Sequence, residues 1–437
     1  MQKSMISRAL GMALIIGFAT PLSTLAYAQE SAAAIPMNTQ SDLQQLIQWA
    51  IKHDAGQRQI QYQADAIADL GVANSQLMDP KAKVGVGGLP VDSFAFDEDP
   101  MTNISIGLMQ QFGRGDTLSL QQKQSNQQAD SLREKAGVRE LDVTKTITQA
   151  WIELAYLNQA RQIIQQNQRL FHELEHYLGT NYGVGANQAQ DLIQAEVQIS
   201  RIDDQLQANQ QMQDRLKAQL SEWLGNQATQ LNVHDYPVWQ TLNQYLATGP
   251  ADYYPALASH PAIMVTDALI KSSEINVDIA NEAYQPQFGV EVMYAYRQAN
   301  RMNGSPAPDM VSAYLTIDIP LFTDKRQDKK LSAAQYQVGA VKTQRDLQLK
   351  AMHAKISSLI IDRNNIQQRL ARYQQTLLKQ AQEKTRAVER GYQNNTSQLD
   401  EYIRAASDEL AIKLEQARLD ADLHQANNNL AYLLNKY

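Results

Sequence analysis

The segment His172-Glu173-Leu174-Glu175-His176 has the spacing of a zinc-protease helix. Two histidines four residues apart share one helical face, and the glutamate between them can act as a general base. Such a centre needs a third ligand, an open coordination position and a substrate cleft. The longer zinc-protease pattern would place another histidine at position 182, which is Tyr182. Glu196 could join the pair in a non-catalytic metal contact. The simpler reading makes both histidines polar flanks of an apolar seam at the end of a helix that is about to turn back. The remaining histidines are scattered, the 13 methionines do not cluster, and there is no cysteine. No phosphate loop, dinucleotide-binding glycine pattern or nucleophile elbow is present. The expectation is therefore no catalytic, metal or cofactor residue, and a chain that is not an enzyme.

The elements that carry these residues are long. From Val143, apolar residues recur every seven positions: Ala150, Leu157, Ile164, Phe171 and Leu178, with Ile147 and Leu154 in a second row. This is the narrow stripe of a helix that packs side by side with others. With no proline between Pro100 and Pro237, one helix is expected from about 116 to 178. Met352, Leu359, Ile366 and Tyr373, beside Leu349, Ile356, Leu370 and Leu377, repeat the pattern in the second half.

The chain reads as built twice. His53 matches His260, and Ala73-Asn74 matches Ala280-Asn281, at an offset of 207. Phe112 and Phe322, Tyr182 and Tyr392, Gln188 and Gln398, Ile193 and Ile403, and Leu220 and Leu430 match at an offset of 210. An ordered series at a nearly constant offset marks an internal repeat. Each half has a first helix (about 39–77 and 256–284), an extended region, a long helix, a Gly/Asn-rich turn and a returning helix.

The N-terminus has the layout of a secretory signal: Lys3 and Arg8, an apolar run from Ala9 to Thr20, and Ala26-Tyr27-Ala28 before the expected cleavage. Removing Lys3 and Arg8 takes the net charge from −7 to −9. An acidic surface without a basic bias argues against nucleic acid as a partner. Without cysteine, a lipid-modified Cys anchor is excluded. No later stretch reads as a membrane helix, so membrane entry would require a β-barrel.

The extended regions fit that requirement. Phe288, Val290, Val292, Tyr294 and Tyr296 alternate with smaller or polar residues, as do Val311, Ala313, Leu315, Ile317 and Ile319. Ala82, Val84 and Val86, then Ile104, Ile106 and Leu108, are weaker counterparts. The alternation fits either a lipid-facing barrel strand or a soluble hairpin packed on its own helices. Four strands cannot close a membrane barrel, since the smallest have about eight. The membrane reading therefore requires an oligomer.

Over nearly the whole mature chain this layout resembles the TolC-like outer-membrane efflux channels. The resemblance rests on Thr316 through Phe322 (TIDIPLF) and on two hairpin tips, Tyr182-Gly183-Val184-Gly185 through Asp191-Leu192 and Gly391-Tyr392 through Glu401-Tyr402. A narrower resemblance, to the heavy-metal efflux branch, rests on Leu89-Pro90-Val91-Asp92, Pro100-Met101-Thr102 and Ile106 through Phe112 (IGLMQQF).

The resemblance implies a mainly α fold with a small β part. Long α-helical coiled-coil hairpins and four transmembrane β-strands per chain would contribute to a trimeric 12-stranded barrel and a periplasmic α-tunnel. It implies a signal peptide at 1–28, a first repeat at 29–225, a connector at 226–255 and a second repeat at 256–437. Strands are expected at about 82–88, 102–112, 287–297 and 310–321, with tips at about 179–191 and 391–400. The implied function is the passive exit duct of a tripartite efflux system for heavy-metal ions or drugs. Its partners would be a periplasmic adaptor, an inner-membrane pump of the RND type and outer-membrane lipid. A type I protein-secretion channel and a soluble periplasmic coiled-coil scaffold are the alternatives.

The resemblance also implies a gate at the periplasmic end. Tyr392 stands at the family's tyrosine position and Glu401 at an acidic one. Ser397 replaces the family's arginine, and Arg404 replaces a second acidic residue. Arg404 is expected to pair with Asp400 or Glu401. Tyr182 and Asp191 occupy the first tip, where Asp191 suits a helix N-terminus as well as an aperture.

Overall fold

The computed structural model describes residues 43–184, 188–249, 252–394 and 396–437. The expected signal peptide and its cleavage point lie outside these residues, as do Gly185 in the first tip and Asn395 in the second.

Asp54 interrupts what the sequence pattern reads as a single first helix. Helix α1 spans Leu43–His53 and α2 spans Ala55–Asn74. Asp54 caps α2, accepting the Gln57 N–H at 2.8 Å, and it also receives Nε and Nη2 of Arg139 at 2.8 and 2.9 Å. The same break recurs in the second repeat. Helix α5 (Gln240–Ala247) lies in the connector, α6 (Tyr254–Ala258) follows, and α7 (Pro261–Glu282) starts after the cap residue His260, with proline at its first position. Proline is preset for that position and has no N–H to leave unpaired.

Helix α3, Thr117–Gly183, runs for 67 residues, about 100 Å at 1.5 Å per residue. Its counterpart begins as α8 (Gln327–Arg372), passes through one π turn at Tyr373–Leu377 and ends as α9 (Leu378–Gln393). The returning helices α4 (Ala189–Leu224) and α10 (Leu399–Leu434) have 36 residues each. The seven-residue rows of α3 are buried from Val143 to Leu178 except at Ala150. In α8 only Ile356 and Leu359 of the predicted rows are fully buried. A 46-residue helix with so little cover has a side that this chain does not fill.

Strands β1 (Lys81–Gly87), β2 (Asn103–Gln111), β3 (Gln287–Tyr296) and β4 (Met310–Asp318) form one antiparallel sheet in chain order. β4 ends before Pro320, which cannot donate to a ladder. Each strand continues into a helix: α2 leads into β1, β2 into α3, α7 into β3 and β4 into α8. The helices pack in the same order, α2 on α3, α3 on α7 and α7 on α8. Further along, α10 packs between α3 and α9, and α4 lies on α3.

The connector is fastened to this shaft midway. Trp151 Nε1–H donates to the Asp235 carbonyl at 2.9 Å, and Asn158 Nδ2–H to that of Val233 at 2.6 Å. Trp239 and Leu242 join Ile152, Ile356, Leu359 and Leu430 in one apolar cluster. Trp239 Nε1–H donates to Nδ1 of His424 at 2.8 Å, while Tyr236 stacks on the same imidazole with centroids 4.4 Å apart. An indole N–H can only donate, so this nitrogen must be unprotonated. The Ala262 backbone N–H likewise donates to Nδ1 of His260 at 3.1 Å, and His260 Nε2 faces the Tyr432 carbonyl.

Burial lowers the pKa of both histidines. Asp420 opposes the shift at His424; the Tyr432 carbonyl and Asp142 oppose it at His260. In the unfolded chain both protonate near about 6.5, so below that pH the unfolded state binds more protons. Their contribution to stability is complete above about pH 6.5 and is lost as pH falls toward the depressed folded values. The unfolding midpoint should therefore drop between about pH 7.5 and 5, and less steeply in His424→Gln, which keeps an acceptor without the ring's charge. Identical pH profiles for the two proteins would refute this account of His424.

Candidate functional site

One face of the sheet is apolar except at Gln110, which pairs with Val290. The register sets Val86, Ile104 and Tyr296 in one row and Val84, Ile106, Tyr294 and Val311 in the next. Ala82, Leu108, Val292 and Ala313 follow, then Val290 beside Leu315, and Phe288 beside Ile317. Aromatics mark both ends, with Tyr294 and Tyr296 at the hairpin-loop end and Phe112, Phe288 and Phe322 at the helix end. Phe288 to Tyr296 is nine residues of β3, the length of a tilted transmembrane strand of about 9–11 residues. These side chains are exposed in the single chain, and no helix among the described residues covers them.

The opposite face is polar. Lys83 Nζ meets Glu291 Oε2 at 2.6 Å, reaching from β1 across β2 to β3. Gly107 lies under that path, opposite both Lys83 and Met293. A Cβ there would sit 3.0 Å from the Val292 carbonyl oxygen and 3.3 Å from Met293 Cβ.

Both edges of the sheet, β1 and β4, lack a partner strand among the described residues. In hydrocarbon each unpaired backbone group costs several kcal/mol, so a lipid-facing sheet must close. Among the described residues no helix is long and apolar enough to cross a membrane.

At the far end of the long helices the two hairpins meet. Phe171, Leu174 and Leu178 of α3 pack with Ala195, Ile199 and Ile202 of α4, and with Leu399, Tyr402, Ile403 and Leu410 of α10. The seam residues of the HELEH segment thus point inward, while His172 and His176 are exposed. His172 Nδ1 lies 3.2 Å from Glu175 on its own helix. Among the described residues no group of three His, Cys, Asp or Glu is arranged to hold a metal ion.

The tip residues fall into two groups. Tyr392 and Tyr402 stack nearly parallel, with interplanar angle 5° and centroids 6.4 Å apart. They line a cleft of about 210 Å³ with Glu173, Tyr177 and Glu389. Tyr402 is 4% exposed, and its phenol is pushed up to about 12, first by burial and then by Glu389, Glu409 and Glu173. Asp400 pairs with Arg404 at 2.6 Å on the same helix, and Gln194 Nε2–H of the other hairpin reaches Asp400 at 3.4 Å. Glu401 is exposed, without an ion pair among the described residues, and does not join the Asp400–Arg404 pair. Tyr182 is exposed, and Asp191 lies in the first turn of α4.

Residues 253–436 match the outer membrane efflux protein family. No curated protein matches the chain. The backbone is similar to that of VceC from Vibrio cholerae, with a TM-score of 0.73 at 15% identity over 90% of this chain and 96% of that one. A membrane protein from Pseudomonas aeruginosa gives 0.76 at 13% identity over 91% and 90% of the two chains. CusC gives 0.73 at 16% identity over 93% and 95%. The second half of the chain matches the efflux-protein family, and the described chain has the fold of these solved outer-membrane proteins.

Sequence reasoning missed the ties between helices, among them that of Arg418. Arg418 on α10 donates from one nitrogen to both oxygens of Glu153 on α3, at 2.8 and 2.9 Å, pairs with Asp422 at 2.8 Å and lies 4.8 Å over the Tyr156 ring. Arg418 and Glu153 are 265 residues apart, and no periodicity links them.

The tip contacts differ in strength. Phe171 is fully buried, so Phe171→Ala should destabilise this end of the helical shaft by about 3–5 kcal/mol. The Asp400–Arg404 pair is largely exposed, so Asp400→Asn should cost under about 1 kcal/mol. Amide exchange across α10 would check both; comparable acceleration in the two variants would contradict this ranking.

Proposed function

We propose that three copies close a 12-stranded barrel in the outer membrane and extend a helical tunnel into the periplasm. The assembly would form the passive exit duct of a tripartite efflux system. The observation that carries this reading is the open-edged sheet with one apolar face, each strand of which runs into a long helix. Joining β4 of one copy to β1 of the next satisfies both edges. It also sets α8 beside the neighbour's α2, two helices that leave Tyr336 and Leu347, and Tyr62 and Leu70, exposed.

The rest of the assembly is proposed from the family match of the second half and the shared fold. A periplasmic adaptor would dock at the tips, where Tyr177, Val184, Ile193 and Val197 are exposed, and an inner-membrane pump of the RND type would supply the energy. The cargo is heavy-metal ions or drugs, with the LPVD and IGLMQQF stretches favouring the metal branch. Tyr392, Asp400, Arg404 and Glu401 would hold the periplasmic aperture closed, with Tyr182 and Asp191 on the outer hairpin. The Gln194–Asp400 contact supports this, since it joins the two hairpins where they would have to part.

Growth of a deletion strain on copper, silver, zinc, cadmium, dyes and antibiotics tests the duct. Sensitivity confined to metals supports the metal branch, sensitivity to dyes and drugs makes this a general duct, and wild-type growth on all of them counts against efflux. For the gate, Asp400→Ala combined with Tyr392→Ala should raise the resting conductance of the purified channel in planar bilayers severalfold. Unchanged conductance would remove these residues from the gate.

A further inference from the structure

Three aromatic rings and two carboxylates meet between the two hairpins. Glu173 and Tyr177 come from α3, Glu389 and Tyr392 from α9, and Tyr402 from α10, around the cleft of about 210 Å³. Helix α10 packs on both α3 and α9, so the cleft lies within one chain's row of helices. It is away from α2 and α8, where a neighbouring copy would join.

The cleft is acidic and uncompensated. Glu173 and Glu389 make no hydrogen bond or ion pair among the described residues. No lysine or arginine among the described residues lines the cleft. Nearby, Lys384 is taken up by Asp408, Arg404 by Asp400 and Lys413 by Glu409, while Arg390 donates to the Arg386 carbonyl.

Tyr402 supplies an observation independent of this charge. It is 4% exposed, yet its hydroxyl has no hydrogen-bond partner among the described residues. A buried phenol usually finds one. The oxygen is not sealed in the core. Glu389 and Glu173 both act on this phenol, which turns its polar end toward the carboxylates that line the cleft. One open hydroxyl and two open carboxylates therefore share a small space walled by rings.

These groups suit one class of ligand. A hard divalent ion takes about six or more oxygens, and no metal-holding group of three His, Cys, Asp or Glu is present among the described residues. The face of an aromatic ring attracts a cation within about 6 Å, and organic ammonium groups are held by clustered rings in this way. Tyr392 and Tyr402 lie within 5° of parallel, so their faces share one orientation.

We propose that this cleft binds an organic ammonium ion that carries a hydroxyl group. The ammonium rests on the tyrosine rings and is neutralised by Glu173 and Glu389, and the ligand hydroxyl pairs with that of Tyr402. Glu173 belongs to one hairpin and Glu389 to the other, so the bound cation ties the two together. The inference goes beyond the duct reading and stands without it.

The test uses the purified full-length protein, with choline as the probe and tetramethylammonium as its analogue without a hydroxyl. Each is titrated against sodium chloride at constant ionic strength. Choline should perturb the near-ultraviolet tyrosine spectrum saturably and raise the unfolding midpoint. In Glu173→Gln/Glu389→Gln, both exposed or half-exposed positions, the half-saturation concentration should rise about tenfold or more. Tyr402→Phe, which keeps the ring, should abolish the preference for choline over tetramethylammonium. Glu175→Gln/Glu196→Gln, outside the cleft, should behave as wild type. A wild-type protein indifferent to choline overturns the inference, even where a basic peptide binds, because the cleft would then serve a protein side chain. It is equally overturned by unchanged binding in the cleft glutamine variant, by equal weakening in the control pair, or by a choline preference that survives Tyr402→Phe.

Discussion

Unpaired backbone groups at the two edges of a small sheet govern the rest of this structure. A strand edge in water can be left to solvent, but a strand edge in hydrocarbon cannot. The apolar face formed by β1 to β4 suits hydrocarbon, and in hydrocarbon its two edges would need neighbours. Because every strand runs into a helix, the helices inherit the strands' order. The sparse burial along α8 follows from the same constraint, since a helix at the end of such a row is covered on one side only.

Beyond the sheet the helices face water on two sides, and apolar stripes alone would leave their rotation loosely fixed. Polar ties set it. Arg139 with Asp54 fixes α2 on α3, Arg345 with Asp267 fixes α8 on α7, and Arg418 with Glu153 fixes α10 on α3. Each spans a different helix pair, and the forked guanidinium geometry rewards one rotation over others. The connector adds a fourth tie at mid-length, through Trp239 and His424.

Much of this was legible in the sequence because periodicity reports which side of an element is covered. The seven-residue rows of α3 and the alternation in β3 and β4 are direct records of burial and of an uncovered apolar face. The weaker β1 was still recognisable from Val84 and Val86, even with glycine at two of its polar-face positions. The breaks at Asp54 and His260 were not legible, because each depends on a cap completed by a distant element, Arg139 in one case and the Tyr432 carbonyl in the other. The tip was legible only as a turn. Which of its charges pair is set by helix rotation, and the result, Asp400 with Arg404 rather than Glu401 with Arg404, is a matter of a single residue step.

The register of the sheet also orders events in time. Ile104 pairs with Tyr296, so the middle of the sheet joins segments almost two hundred residues apart. The α3–α4 and α9–α10 hairpins, by contrast, are built from contacts between neighbours in the chain. Local contacts form early, and distant ones wait on the entropy of closing the intervening loop. The two helical hairpins can therefore be in place before the sheet and the α3–α7 and α3–α10 packing exist. The greasy strands would then spend the last part of biogenesis unpaired, the interval in which they most need a holding factor.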